Sequence, residues 1–361
     1  MCKNNSRNIV KTIFLYSNAH SIQGGHNMDK RYGVMKLVLS LMVAMCFCFC
    51  ASQTEAAETI VWKFGHTNPE EHPWNKVALK FKDIVEKESN GRLIIELYPN
   101  STLGTEPDVL SGILLKTADM TMTGGSFEPY TPSAALLEAP WAYKDENHVK
   151  KMLESEIGKK IYQDFEDAGF HPLMYNLRSP RNLTSNVPIK TPADLRGKKM
   201  RISNTPLQVS MWSKAGATCT TIALSEVFTA LSSGVVEMQE NPYDMIYNNS
   251  FYEVQKYCNE TEHVFSAILY VVGKEQYESL PDDLRQIVDK AAAECQPYAN
   301  ELYFKTKDDY KKLCEENGMQ INSDVDKEAF RKVMVPAIKD YLSEDLWEMY
   351  QAIVALEPQA D

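Results

Sequence analysis

One arginine, set between apolar residues in a strand-like stretch, is the side chain in this sequence best suited to chemistry. The stretch IKTPADLRGKKMRI (residues 189–202) places Arg201 between Met200 and Ile202. A strand has a side-chain period of two, so the two apolar neighbours share one face and Arg201 takes the other. A guanidinium in that position asks for an anion. Its planar fork matches a carboxylate in a bidentate pair, it stays charged at any relevant pH, and each charge-assisted hydrogen bond is worth about 1.5–3 kcal/mol.

The residues before Arg201 read as the element that fixes where its strand begins. Thr191 is a natural N-cap, Pro192 fits a first helical position, Asp194 can complete a capping box, and Gly197 supplies a left-handed stop. A second unit of the same kind, LSEVFTALSSGVVEMQENP, follows at residues 224–242. Upstream, TIVWKFGHT reads as a strand, a helix starts near Pro73 and ends at Asn90 and Gly91, and RLIIELYP is a second strand. Thr105 then caps a helix with Pro107 in its first turn, and ADMTMTG is a third strand. This βαβαβ alternation argues for an α/β fold with a mainly parallel sheet and helices on both faces. Such sheets bind ligands at the carboxyl ends of their strands. Here those ends are Gly65 to Thr67, Gly124 to Ser126, and the residues just after Arg201. Near the C-terminus a long amphipathic stretch, residues 281–317, buries Leu284, Ile287, Val288, Ala291, Ala292 and Cys295 at helical spacing; Pro297 is expected to kink or divide it.

Composition limits the anion. The net charge is −11 over 361 residues, which argues against nucleic acid or anionic lipid as a partner, since both reward a basic surface. The first 52 residues read as a leader: residues 1–27 as an extension from a misplaced start codon, then a signal peptide with Lys30, Arg31 and Lys36 before the apolar run of residues 37–49. Ala51 and Ser52 permit cleavage, and Cys50 before Ala51 leaves lipid attachment as the alternative. Residues 1–52 hold six cationic residues against Asp29, so losing them removes a net +5 and takes the formal charge from −11 to −16. A periplasmic location is expected. Of the eight cysteines, Cys219, Cys258, Cys295 and Cys314 remain beyond the leader, without C-x-x-C or zinc-ligand spacing. Buried free thiols are expected, and neither a metal nor a cofactor.

The ordered segments KFGH, NGRLIIELYPNSTLG, PRNLTSN, IKTPADLRGKKMRI, GATCTTIALSEVFTALSSGVVEMQENP, FYEVQKY and LPDDLRQIVDKAA together resemble the substrate-binding subunits, of DctP type, of tripartite ATP-independent periplasmic (TRAP) transporters. The likeness covers nearly all of residues 58–340. It implies a periplasmic-binding-protein-like fold with two domains, a ligand cleft between them, and a long helix spanning both. The expected boundaries are 58–178 with 267–306 for domain I and 179–266 with 307–361 for domain II. It also implies a receptor, not an enzyme, that captures a small organic-acid anion, acts as a monomer, and delivers its ligand to the membrane permease subunits.

Residue by residue, the resemblance puts Arg201 on the family's signature carboxylate-binding arginine, Arg181 on a second arginine, and Asn241 on an asparagine that supports both ligand and Arg201. Thr67 and Glu106 fall where relatives place polar contacts, and Leu224 where some place an aromatic. At Gly124, Gly125 and Ser126 the chain departs from relatives that carry an acid and a base in that loop, sialic-acid binders among them. Dicarboxylates and sugar acids are the leading ligand classes; the missing side chains at Gly125 and its neighbours suggest room for a bulkier body such as an aromatic acid. Arg178 reads as structural. His66 reads as a polar loop contact able to line the cleft, and His72 as a solvated residue at a helix entry. Trp74, Trp141 and Tyr243 are candidates for an aromatic wall. Two other functions stay open. An exported hydrolase would share the acidity and size, although no G-x-S-x-G, H-E-x-x-H, P-loop or G-x-G-x-x-G motif occurs. A sensor docking on a membrane signalling protein would share the cleft.

Overall fold

The computed structural model describes residues 59–356, so the leader expectations lie outside the described residues. The first part of the chain follows the anticipated alternation: β1 (Ile60–Gly65), α1 (Pro73–Glu88), β2 (Leu93–Tyr98), α2 (Glu106–Leu114) and β3 (Met120–Thr123). Its punctuation is chemical. Asn90 and Gly91 take positive φ after α1, and Thr105 and Asp108 form a reciprocal capping box at the start of α2. His72 is fully buried, not solvated as its place before α1 suggested. Its Nδ1 accepts from the Trp74 backbone N–H at 3.2 Å, and its Nε2 lies 3.5 Å from an Asp244 carboxylate oxygen.

Two 3₁₀ turns, Gly125–Phe127 and Pro132–Glu138, and helices α3 (Glu146–Leu153) and α4 (Glu156–Asp167) lead into the long strand β4 (Phe170–Ser185). The stretch before Arg201 forms a shorter element than its caps suggested, a 3₁₀ turn at Pro192–Leu195, but the Thr191–Asp194 capping box is present and Gly197 has φ +75°. Then come β5 (Lys199–Ile202), α5 (Pro206–Ala215), β6 (Thr218–Thr221), α6 (Leu224–Ser232), β7 (Met238–Asn241), α7 (Tyr243–Asn248) and a second long strand, β8 (Tyr257–Gly273). The chain continues through α8 (Lys274–Glu278), α9 (Asp282–Glu316), β9 (Gln320–Asn322), α10 (Lys327–Tyr341) and α11 (Glu344–Ala355).

The strands form one mixed sheet in the order β2-β1-β3-β8-β4-β7-β5-β6, with β9 added to β8. Parallel pairs dominate its two wings, β1 with β2 and β3, and β5 with β6 and β7. The wings are joined by β4 and β8, which run antiparallel for their whole lengths. The Phe170 end of β4 lies beside the stretch of β8 that pairs with β3, whereas its Ser185 end pairs with β7. The β4–β8 register slips between Arg178 and Arg181 and again before Leu183, a pair of bulges at the passage from one wing to the other.

Helix α9 ties the wings together. Leu284, Val288, Ala291, Ala292, Cys295 and Ala299 pack into a core with α1 and β1, and Cys314 enters another core with Val227, Ile246 and Cys258. Pro297 does not divide the helix. Both Pro297 and Ala293, whose carbonyl lacks its usual i+4 donor, are exposed, so water can satisfy the freed oxygen and the ring meets no packed neighbour. The four described cysteines are free thiols.

Candidate functional site

The carboxyl ends of strands from both wings converge on one cleft. An inner cavity is lined by Arg201 and Ser203 from the end of β5, Asn241 from the end of β7, Thr123 to Ser126 from the end of β3, and Arg178 and Arg181 from the bulged part of β4. Trp74 of α1, Met245 of α7 and Ile268 of β8 add its apolar surface. Glu106 and Leu224, the first residues of α2 and α6, also line it, so two helix N-termini with their positive dipole ends face the space. An outer cavity shares Glu106, Arg201, Ser203 and Leu224 with the inner one and adds Thr67, Ser101, Thr105, Asn204 and Thr221.

The three arginines differ in what neutralises them. Arg181 is buried and grips Glu240 in a bidentate pair. Its Nη2 donates to a carboxylate oxygen at 2.6 Å and to the Glu240 carbonyl at 2.9 Å, and its Nε donates to the other carboxylate oxygen. Glu240, fully buried, is also 3.2 Å from His263 Nε2. Arg178 is ion-paired with Glu138 and stands 5.2 Å from the centre of the Trp74 ring. Arg201 is 3 % exposed, and its Nε donates to the Ile222 carbonyl at 2.8 Å; among the described residues it has no ion-pair partner. Burial pulls its pKa down to about 10, against the opposing pull of Glu240. It is therefore still charged at neutral pH. An ion this buried and unpaired costs stability unless an anion joins it.

Hydrogen-bond acceptors surround that cation. The Glu106 carboxylate accepts from Thr123 Oγ1 at 3.0 Å and from Ser126 Oγ at 2.7 Å. The Asn241 side-chain amide is held by Gln239 at 2.6 Å. A carboxylate on Arg201 would thus sit among groups able to bond hydroxyls at neighbouring carbons.

Of the residues singled out from sequence, Arg201, Arg181, Asn241, Glu106, Leu224 and Gly125 meet in the inner cavity, and Thr67 lies in the outer one. Tyr243 and His66 do not line either. Tyr243 points into a core and donates to Glu260 at 3.0 Å. His66 is buried against Asn75, 3.0 Å away, and burial lowers its pKa to about 4, which leaves it neutral. Trp74 forms part of the wall, whereas Trp141 packs against the core.

Arg178, read from the sequence as structural, lines the cavity, and Glu138 was not singled out. Arg178 and Arg181 differ by three, so a regular strand would turn them to opposite faces; the bulge between them brings both to the cavity. Glu138 sits in an irregular turn with no periodicity to mark it. The glycine pair does not leave space for a bulkier ligand either, because Glu138 already fills that space. A Cβ on Gly124 would lie 2.3 Å from one Glu138 carboxylate oxygen, and a Cβ on Gly125 would lie 2.7 Å from the other.

Comparison with known proteins agrees with this geometry. The family model described as bacterial extracellular solute-binding protein, family 7 (DctP) matches residues 64–345. A solute-binding protein of Roseobacter denitrificans is 38% identical over 317 residues, covering 88% of this chain and 97% of that protein. The crystal structure of a TRAP periplasmic solute binding protein from that organism, with bound L-galactonate, aligns with a TM-score of 0.80 at 38% identity, over 82% of this chain and 99% of the other. The 2,3-diketo-L-gulonate-binding periplasmic protein YiaO of Escherichia coli is 29% identical over 309 residues, or 85% of this chain and 93% of its own. A TRAP periplasmic solute binding protein from Xanthobacter autotrophicus, with bound β-D-galacturonate, gives a TM-score of 0.78 at 26% identity, over 82% of this chain and 100% of the other. The resemblance drawn from the ordered motifs is borne out: the chain belongs to bacterial extracellular solute-binding protein family 7, the DctP family.

Proposed function

We propose that this protein is a periplasmic receptor for a hydroxylated organic acid of the sugar-acid type, which it delivers to a TRAP membrane permease without altering it. The observation that carries the reading is Arg201, a buried guanidinium that keeps its charge and has no ion-pair partner among the described residues, at the convergence of two helix N-termini. The carboxylate binds the Arg201 fork, and the polyol chain extends past Glu106, Thr123, Ser126, Ser203 and Asn241. Relatives crystallised with L-galactonate, β-D-galacturonate and D-erythronate support an acid that carries hydroxyls.

In this reading the protein is exported as a monomer by the leader of residues 1–52. The segments 58–178 with 267–306 and 179–266 with 307–361 then act as two lobes. The bulges in β4 are where they would hinge. That the relatives are named as solute-binding proteins supports a receptor over an enzyme.

A thermal-shift screen over aldonates, uronates and dicarboxylates tests the proposal. A ligand that binds only the native state at a hundred times its Kd stabilises it by about 2.7 kcal/mol, which raises Tm by several degrees. The hits should be hydroxylated monocarboxylates, recovered intact after denaturation, and they should shrink the radius of gyration in solution scattering. Hits confined to neutral sugars, or a ligand recovered as a hydrolysis product, would remove the proposal.

A further inference from the structure

Glu138 is a buried acid in a cavity meant for an anion. It ends the turn Pro132–Glu138, is 4 % exposed, and its carboxylate lies against the backbone of Gly124 and Gly125, where any side chain would displace it. Its ion-pair partner is Arg178, also buried, which faces the same cavity and whose Nε finds no hydrogen-bond acceptor. Two consecutive glycines and an arginine are thus arranged so that a carboxylate of the protein occupies a place a carboxylate of the ligand could otherwise take.

We propose that Glu138 sets the charge of the ligand: by holding Arg178 it leaves Arg201 as the cavity arginine without an ion-pair partner among the described residues, so that monoanionic sugar acids are accepted and the dianions of the same chain length are excluded. The inference rests on the reading of Arg201 as the carboxylate clamp. A second ligand carboxylate would find Arg181 already engaged twice by Glu240 and Arg178 already engaged by Glu138. It would also lie in a cavity that holds the carboxylates of Glu106 and Glu138. Unlike a hydroxyl, it cannot donate to either. In a site shielded from water such like-charge contacts are screened weakly, so discrimination comes from repulsion as much as from attraction.

The test uses calorimetric titration with one aldonate, L-galactonate, and the six-carbon dianion galactarate. The wild-type protein should bind galactonate at least tenfold more tightly than galactarate. Glu138→Gln keeps the shape of the side chain and removes its charge, which frees Arg178; the preference should move toward galactarate by about tenfold or more, the weight of one charge-assisted hydrogen bond. Arg178→Gln leaves Glu138 unpaired, and the preference should move the opposite way while galactonate also weakens. Shifts of opposite sign separate a charge filter from a merely structural pair, which would weaken both acids in parallel. If Glu138→Gln does not fold, the wild-type ratio and the Arg178→Gln shift still decide the matter. Equal wild-type affinities, or ratios that do not move in either variant, overturn the inference while leaving the Arg201 reading intact. Wild-type protein that binds neither galactonate nor galactarate removes both.

Discussion

Arg201→Met gives a folded protein that has lost its acid. The carboxylate forfeits a bidentate pair, so the loss should be at least about 3 kcal/mol, roughly a hundredfold or more in Kd. The same change should not destabilise the empty protein. Arg201 is buried with no ion-pair partner among the described residues, and burial already pulls its pKa down to about 10. An apolar side chain of similar length removes a desolvated cation while giving up one hydrogen bond to the Ile222 carbonyl. Tm without ligand should therefore hold or rise as binding disappears. Arg201→Lys should keep the fold and also lose most of the affinity, because a lysine ammonium cannot form the planar fork. A Tm several degrees lower with binding retained would mean that Arg201 is a scaffold residue.

Glu240→Gln should have the opposite profile, with stability lost first. It leaves the Arg181 guanidinium buried and unpaired, and breaking a buried pair from one side costs about 3–5 kcal/mol, readable as a lower urea midpoint. Burial alone would raise the Glu240 pKa, but the Arg181 charge and its hydrogen bonds, helped by His263, override burial and hold it near 2. A carboxyl whose folded pKa is depressed contributes stability that is fully present above the ordinary carboxylate range, about pH 4.3. That contribution is lost as the pH falls toward 2. Glu240→Gln should lack this part of the acid-unfolding curve; a variant with an unchanged midpoint and acid profile would show that the pair carries no such weight.

What the sequence reveals about this protein follows the range over which local rules act. The caps at Thr105 and Thr191, the glycine stops at Gly91 and Gly197, and the period-two pattern around Arg201 are decided within a few residues, and they appear in the structure where local chemistry puts them. The ordered motifs add the family and, through it, six residues that meet in one cavity. The misses come from longer range. Arg178 is invisible to strand periodicity because a bulge in β4 sets it beside Arg181. Glu138 reaches Gly124 and Gly125 from an irregular turn, so the glycines suggested empty space where an acid sits. Tyr243 and His66 are polar aromatic residues near strand ends, and only the packing around Glu260 and Asn75 shows that their polar atoms turn inward. Pro297 was expected to disturb α9, yet it falls on the exposed side of that helix, where a missing backbone donor is harmless.

The acidity of the chain and its taste for an anion are compatible once charge is considered locally. The body repels anions in general, but the cavity pairs two of its three arginines with carboxylates and leaves Arg201 without an ion-pair partner among the described residues. Selectivity for one negative charge follows from that arrangement without a basic surface.

Calorimetric titration of the purified protein with L-galactonate and with its neutral alditol tests the central claim most directly, because the two differ only at the group assigned to Arg201. The account predicts a saturable isotherm for the acid and an affinity at least a hundredfold weaker for the alditol. Equal affinity for both would show that the cavity recognises hydroxyls alone, and would contradict the assignment of Arg201 as the carboxylate clamp.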